Sequence, residues 1–222
     1  MPPKPKFTKE EIVAAAFEIV RSDGESAMTA REVGKRLGTS SSPIFTVFND
    51  MEELRAAVGR MAKARFDEYM ECARQYSPAY KKRGMQWVKF AQEEPRLFRL
   101  MFMQQSGGGT DFDEMMRQSP FGKENDIEII LRDYNASPEQ AERLFRQMWI
   151  YTYGMCVLCA TGVCSFTEEE TALQLGEMFK GAVAVITSGS PDEARVMPAD
   201  KDSAEGEDIR SRNPNMNRKN QA

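Results

Sequence analysis

The chain has 222 residues, with 34 Asp and Glu against 30 Lys and Arg, a formal net charge of −4 and 41% hydrophobic residues. That length accommodates one small domain and one larger one, and the mild acidity argues against indiscriminate coating of nucleic acid. No residue is histidine, which excludes Ser–His and Cys–His catalytic pairs, His-ligated zinc and an imidazole pH switch.

The N-terminal Met1-Pro2-Pro3-Lys4 lacks the apolar core of a secretory signal. A reduced, cytoplasmic protein is therefore expected despite its four cysteines. Thr8-Lys9-Glu10-Glu11 is a capping box that opens a first helix, in which Val13, Ala16, Phe17 and Val20 recur at helical spacing. Ser22-Asp23-Gly24 stops it, since glycine accepts the left-handed conformation that helix ends need. A second capping box, Thr29-Ala30-Arg31-Glu32, opens a short helix ending at Leu37-Gly38. Pro43 is tolerable only in a first helical turn, so a third helix is expected to begin near Ser41 or Ser42. Two short helices joined by so tight a turn, and braced by a preceding one, form a helix-turn-helix whose second member enters the DNA major groove. Lys4, Lys6 and Lys9 precede the first acid, and Arg31, Lys35 and Arg36 outnumber Glu32, which places basic groups where phosphate contacts are needed.

Residues 8–58 resemble the DNA-binding domain of the tetracycline-repressor (TetR/AcrR) family of transcriptional regulators. The resemblance rests on Ile12-Val13-Ala14-Ala15-Ala16-Phe17 and Thr29-Ala30-Arg31-Glu32-Val33-Gly34-Lys35-Arg36-Leu37-Gly38. Ser40, Ile44-Phe45, Phe48 and Glu52-Glu53-Leu54 complete it. It implies a recognition helix within Thr39–Phe48 and a phosphate contact from the Thr29 hydroxyl. The chain departs from the family pattern at Phe45 (commonly Tyr), Val47 (often His) and Met51 (often Lys). Thr39–Phe48 holds no Lys or Arg, so base reading falls to the hydroxyls of Thr39, Ser40, Ser41, Ser42 and Thr46 and to apolar contact with thymine methyls. The candidate DNA contacts are these five with Lys6, Lys9, Thr29, Arg31, Pro43 and Phe45.

Beyond Val58 the chain reads as all helix. A long fourth helix runs from Asn49 or Asp50 to about Tyr76, with Leu54, Val58, Met61 and Arg65 on one stripe. Ser77-Pro78 opens the next helix, through Trp87, Phe90 and Ala91. Glu93-Glu94-Pro95 breaks the chain before a short apolar helix at Arg96–Met103. Gln104 to Asp111, with three consecutive glycines, reads as a flexible loop. Helical segments follow from Phe112 to about Arg117 and from Lys123 to Tyr134, around a break at Ser119-Pro120. Ser137-Pro138-Glu139-Gln140 starts a helix to about Val163, and Thr167-Glu168-Glu169-Glu170 opens the last one, which fades near Thr187. Ile150–Val163 is too short to span a membrane, and Thr152 and Thr161 interrupt it. Residues 189–222 contain no Phe, Trp or Tyr and are dense in charge, so a disordered tail is expected.

Trp87-Val88-Lys89-Phe90-Ala91, Pro95-Arg96-Leu97-Phe98-Arg99-Leu100-Met101-Phe102, Trp149-Ile150-Tyr151-Thr152-Tyr153-Gly154 and Gly162–Glu170 resemble the WHG effector-binding domain found behind TetR-type DNA-binding domains, with Tyr153 in place of its His. The resemblance implies a ligand pocket and dimerisation through the last two helices. The candidate effector lining is Trp87, Phe90, Phe102, Met103, Met116, Trp149 and Tyr153, which points to a largely apolar small molecule; core packing is the other account of the same side chains. Small residues suited to close helix approach, Ala160 and Gly181 among them, mark the expected dimer interface. Cys156 and Cys159 have Cys-x-x-Cys spacing, but Val157 and Leu158 between them suggest buried small side chains. No cofactor and no metal site is expected.

Together these features predict an all-α chain of three parts: a helix-turn-helix domain at 1–49, a helical effector and dimerisation domain at 50–188, and a tail at 189–222. The function read from them is a homodimeric repressor that binds a palindromic double-stranded operator and is released by an apolar effector. A cysteine-based redox sensor and a carboxylate enzyme in a helical bundle are the alternatives. The metal form of the latter wants Glu-x-x-His motifs, which a chain without histidine cannot supply.

Overall fold

The structure, a computed structural model, describes residues 6–76, 78–103, 111–118 and 123–187. All regular structure among them is helical: α1 (Lys9–Asp23), α2 (Ala30–Arg36), α3 (Met51–Glu71), α4 (Ala79–Glu93), α5 (Pro95–Phe102), α6 (Phe112–Gln118), α7 (Lys123–Tyr134), α8 (Pro138–Ala160) and α9 (Glu168–Thr187), with short 3₁₀ turns at Glu25–Ala27 and Ile44–Thr46. The expected 104–110 loop, the break at 119–120, Ser77 and the 189–222 tail lie outside the described residues. Residues up to Ser188 cluster as one compact unit.

Capping chemistry sets most of the helix starts. Thr8 Oγ1 accepts from Glu11 N while Glu11 returns a carboxylate to Thr8 N, and Ser137 with Gln140 does the same for α8. Thr167 and Glu170 form the third reciprocal pair. At α2 the box is half made: Thr29 Oγ1 accepts from Glu32 N, but Thr29 N–H donates to Ala27 O and leaves Glu32 free to approach Lys35. Each cap contributes about 1 kcal/mol. Pro95 stands in the first turn of α5, where its missing N–H costs nothing, and marks the break after α4. Two predicted stripes shift by a residue. α1 buries Ile12, Ala16, Phe17, Ile19 and Val20 and leaves Val13 half-buried, and α3 buries Ala62 and Phe66 where Met61 was expected.

The expected third helix is absent as an α-helix. After α2, Gly38 takes φ +67°, its N–H bonds Lys35 O, and Thr39 N–H bonds Gly34 O at 2.8 Å. This is the paired closure that a left-handed C-terminal residue allows. Residues 41–48 then form one 3₁₀ turn at Ile44–Thr46. The turn is closed by Val47 N–H on Ile44 O and by Thr46, whose N–H and Oγ1 both donate to Pro43 O, the hydroxyl at 2.6 Å. The segment is anchored by fully buried Ile44 and by Phe48.

The tightness of this turn depends on Gly34. A Cβ there would stand 2.7 Å from Ser40 O and 3.0 Å from Ser41 N, both backbone atoms. Gly59, within α3, has open space where a Cβ would go.

One buried carboxylate ties the N-terminal helices to the rest. Glu94, at the α4–α5 junction, is 3% exposed. It accepts two 2.7 Å bonds from Arg21 of α1 and one of 3.4 Å from Arg65 of α3. The bond to Glu94, and then the charge itself, raises the pKa of the Arg21 guanidinium above its ordinary value.

Two outcomes are expected in urea unfolding. Gly34→Ala should cost about 2 kcal/mol through overpacking against backbone, although alanine is the better helix former, whereas Gly59→Ala should gain about 0.5–1 kcal/mol. Arg21→Ala should cost about 2–3 kcal/mol, because it strands a buried carboxylate with only the longer Arg65 contact.

Candidate nucleic-acid interface and ligand cavity

The predicted DNA contacts fall into three groups. Thr29, Arg31, Ser40, Ser42, Phe45 and Thr46 are exposed, as is Lys6 in the N-terminal arm. Arg31, and Arg36 beside it, have no ion-pair partner among the described residues. Thr39, Ser41 and Pro43 are half-buried and shape the turn. Lys9 is exposed but engaged: its Nζ lies 2.5 Å from Glu53 Oε1 and 4.7 Å from the Phe48 ring centroid. Glu53 also accepts from Asn49 N, and these bonds, the Asn49 backbone first and Lys9 next, hold its pKa below the ordinary glutamate value. Lys9 therefore pins the start of α1 to the start of α3.

The side-chain chemistry at the turn suits a duplex. The Thr29 oxygen caps α2, which leaves its O–H to donate to a phosphate. Phe45 is 48% exposed and offers an apolar ring to a thymine methyl. Thr46 has committed its O–H to Pro43 O, which leaves its acceptor lone pairs and methyl for base edges. Gly34 escaped the list of candidates because it contributes position and not contact; its only sequence signal is a glycine inside a short helix, which costs stability unless packing requires it.

The described residues also form a partly open cavity of about 680 Å³, bordered by α3, α4, α7, α8 and α9. Of the seven residues expected to line an effector pocket, only Trp87 and Trp149 border it. Phe90, fully buried, packs edge-on against Phe66 and Tyr69. Phe102 stacks on Phe98 at 4.8 Å. Tyr153 stacks on Trp149 at 4.9 Å and donates to Phe102 O at 2.9 Å. Met116 is buried, and Met103, 36% exposed, lies outside the lining. Phe90, Phe102, Met116 and Tyr153 therefore pack in or against the core, and Met103 is exposed outside the cavity. The lining instead includes Phe66 and Met70 of α3, Phe145 and Met148 of α8, and Phe179 of α9. It also holds a half-buried ion pair, Arg83 with Asp126. Burial raises the Asp126 pKa, and Arg83 opposes that shift.

The remaining sites are quickly placed. Cys156 and Cys159 are buried, and Cys72 and Cys164 exposed. Burial first, and a neighbouring cysteine second, pushes the Cys159 thiol up to about 11 and Cys156 well above its ordinary value. Among the described residues no cluster of three or more His, Cys, Asp or Glu could hold a metal ion, and no helix is long and apolar enough to cross a membrane. Ala160 is 3% exposed and packs inside its own chain, so it is unavailable to a second copy. Gly181 is exposed, with open space where a Cβ would stand.

The chain matches no protein-family model and no curated protein sequence. Solved structures do resemble it. A TetR-like transcriptional regulator from Rhodococcus sp. RHA1 aligns with a TM-score of 0.59 at 13% identity, over 79% of this chain and 95% of that one. A second transcriptional regulator from the same organism aligns with a TM-score of 0.51 at 17% identity, over 79% and 97%. At such identities the likeness is one of architecture: the chain has the all-helical fold of a TetR-like regulator.

Proposed function

We propose that the chain is a homodimeric, ligand-responsive transcriptional regulator of the TetR type, acting in the cytoplasm as a repressor that binds a palindromic operator and releases it when a small molecule fills the helical domain. The observation that carries this reading is the turn held by Gly34 and Gly38. It presents Ser40, Ser42, Phe45 and Thr46 to solvent beside Thr29, Arg31 and Arg36. Hydroxyls and a ring for base edges, flanked by guanidinium groups without an ion-pair partner among the described residues, are what a duplex reader needs. The fold shared with two transcriptional regulators supports it. In this reading residues 1–49 contact DNA and residues 50–188 sense and dimerise.

Coupling would run through α3. Its first turn is bonded to Lys9, while Lys63, Phe66 and Met70 farther along border the cavity. A ligand that favours one placement of α3 biases the spacing of two readers in a dimer, and only differential affinity for two states can do so. The elevated Cys156 and Cys159 thiols keep the thiolate scarce, which favours ligand sensing over the redox alternative. Dimerisation through α8 and α9 is supported by large apolar side chains left in solvent there: Ile150, Leu158 and Leu173 are 54%, 39% and 57% exposed. Gly154 and Gly181 leave room for close approach.

Binding to a mixed-sequence duplex tests the phosphate contacts. Replacing Arg31 and Arg36 together by Ala should weaken every sequence alike and lower the log–log salt slope by about 0.9 for each lost contact. An unchanged slope would remove them from the interface. Gly181→Glu should convert a dimer to a monomer in light scattering with its helical content intact, and a wild-type monomer at micromolar concentration would remove the α8–α9 interface.

A further inference from the structure

The cavity is not uniformly apolar. Its lining carries five cationic side chains against three carboxylates. Each carboxylate is matched: Asp67 with Lys63 at 2.6 Å, Glu71 with Arg74 at 3.0 Å, and Asp126 with Arg83. Lys81 of α4 and Lys180 of α9 are left over, with no ion-pair partner among the described residues. Lys81 reaches toward α9, its Nζ 3.6 Å from where a Cβ on Gly176 would stand. The missing side chain at Gly176 leaves room for that ammonium beside the helix that bears Lys180.

A second feature lies deeper. Trp87 borders the cavity, and its Nε1 is a buried nitrogen without a hydrogen-bond partner. An indole N–H can only donate, and buried polar groups are nearly always satisfied. None of the polar groups that border the cavity, Thr152 and the charged side chains included, accepts from this N–H, which leaves it for an acceptor on a ligand.

We infer that the ligand of this cavity is an amphipathic organic anion of medium chain length, with its charged group at Lys81 and Lys180 and an acceptor atom for Trp87 Nε1. This rests on the reading of the cavity as the sensor site, and it narrows the expected largely apolar effector to one that also carries a negative charge. An apolar molecule would leave the indole N–H orphaned and gain nothing from two excess cations. A cation would meet carboxylates that are already paired.

Calorimetry on the full chain with three probes tests the inference: 10-hydroxydecanoate, which carries both features; decanoate, which lacks the far oxygen; and 1,10-decanediol, which lacks the charge. The hydroxy acid should bind about tenfold more tightly than either of the others. Replacing Lys81 and Lys180 by Gln, both at exposed positions, should erase its advantage over the diol. Trp87→Phe should erase its advantage over decanoate and leave the lysine effect in place. Diol binding as tight as that of the hydroxy acid, with the lysine variant indifferent, overturns the anion assignment and leaves the sensor reading standing. No heat and no thermal shift from any of the three at millimolar concentration overturns both.

Discussion

The arrangement depends on a single buried acid. Glu94 sits where α4 breaks into α5, almost wholly out of water, and its two oxygens are held by Arg21 from α1 and Arg65 from α3. A carboxylate in that position is tolerable only with its charge matched and its lone pairs filled. The same contact is also a joint. Arg21 belongs to the helix that braces the turn after α2, Arg65 to the helix that borders the cavity, and Glu94 to the chain break between α4 and α5. Arg96 adds a 3.4 Å bond to Arg21 O just beyond it. Movement of α3 against α1 therefore strains the 3.4 Å contact of Arg65 with a carboxylate that Arg21 holds bidentately. Such a contact favours discrete placements over a continuum of them.

A second tie lies at the other end of α1. Lys9 meets Glu53 and covers the Phe48 ring, so α1 is fastened to α3 near both of its ends. The recognition segment lies between these ties and has little regular structure of its own. Its shape comes from a left-handed glycine, a glycine pressed against backbone, a proline and two buried side chains. This explains how a stretch with one 3₁₀ turn can present hydroxyls and a ring in a fixed arrangement. It also makes Gly34 and Gly38 as necessary to the surface as the residues that touch solvent.

Local signals were legible in the sequence, and long-range ones were not. The capping boxes at Thr8, Ser137 and Thr167, the break at Pro95 and the stop at Gly38 are all decided within four residues, and the structure has them where the pattern predicts. The helix expected near Ser41 is in the structure a single 3₁₀ turn at Ile44–Thr46, and the proline that reads as a helix start opens that shorter turn instead. The cavity was hidden for another reason. It borders five helices, with lining residues from Lys63 to Lys180, and nothing in the chain order shows that Phe102 and Tyr153 complete each other while Phe145 and Phe179 border open space. Ala160 and Gly181 differ in the same way. Both are small residues on apolar helices, yet the helical period of α8 turns Cys156, Cys159 and Ala160 inward and leaves Gly154 and Leu158 in solvent.

The central claim is that this fold reads DNA, and selection from a random pool by the purified full-length chain tests it most directly. The account expects enrichment of a pseudo-palindrome whose half-sites repeat at one helical turn of DNA or a multiple of it, with A·T pairs where Phe45 and the hydroxyls meet the groove. Recovery of unenriched sequence at low salt, from a chain shown to be folded and dimeric, would contradict it.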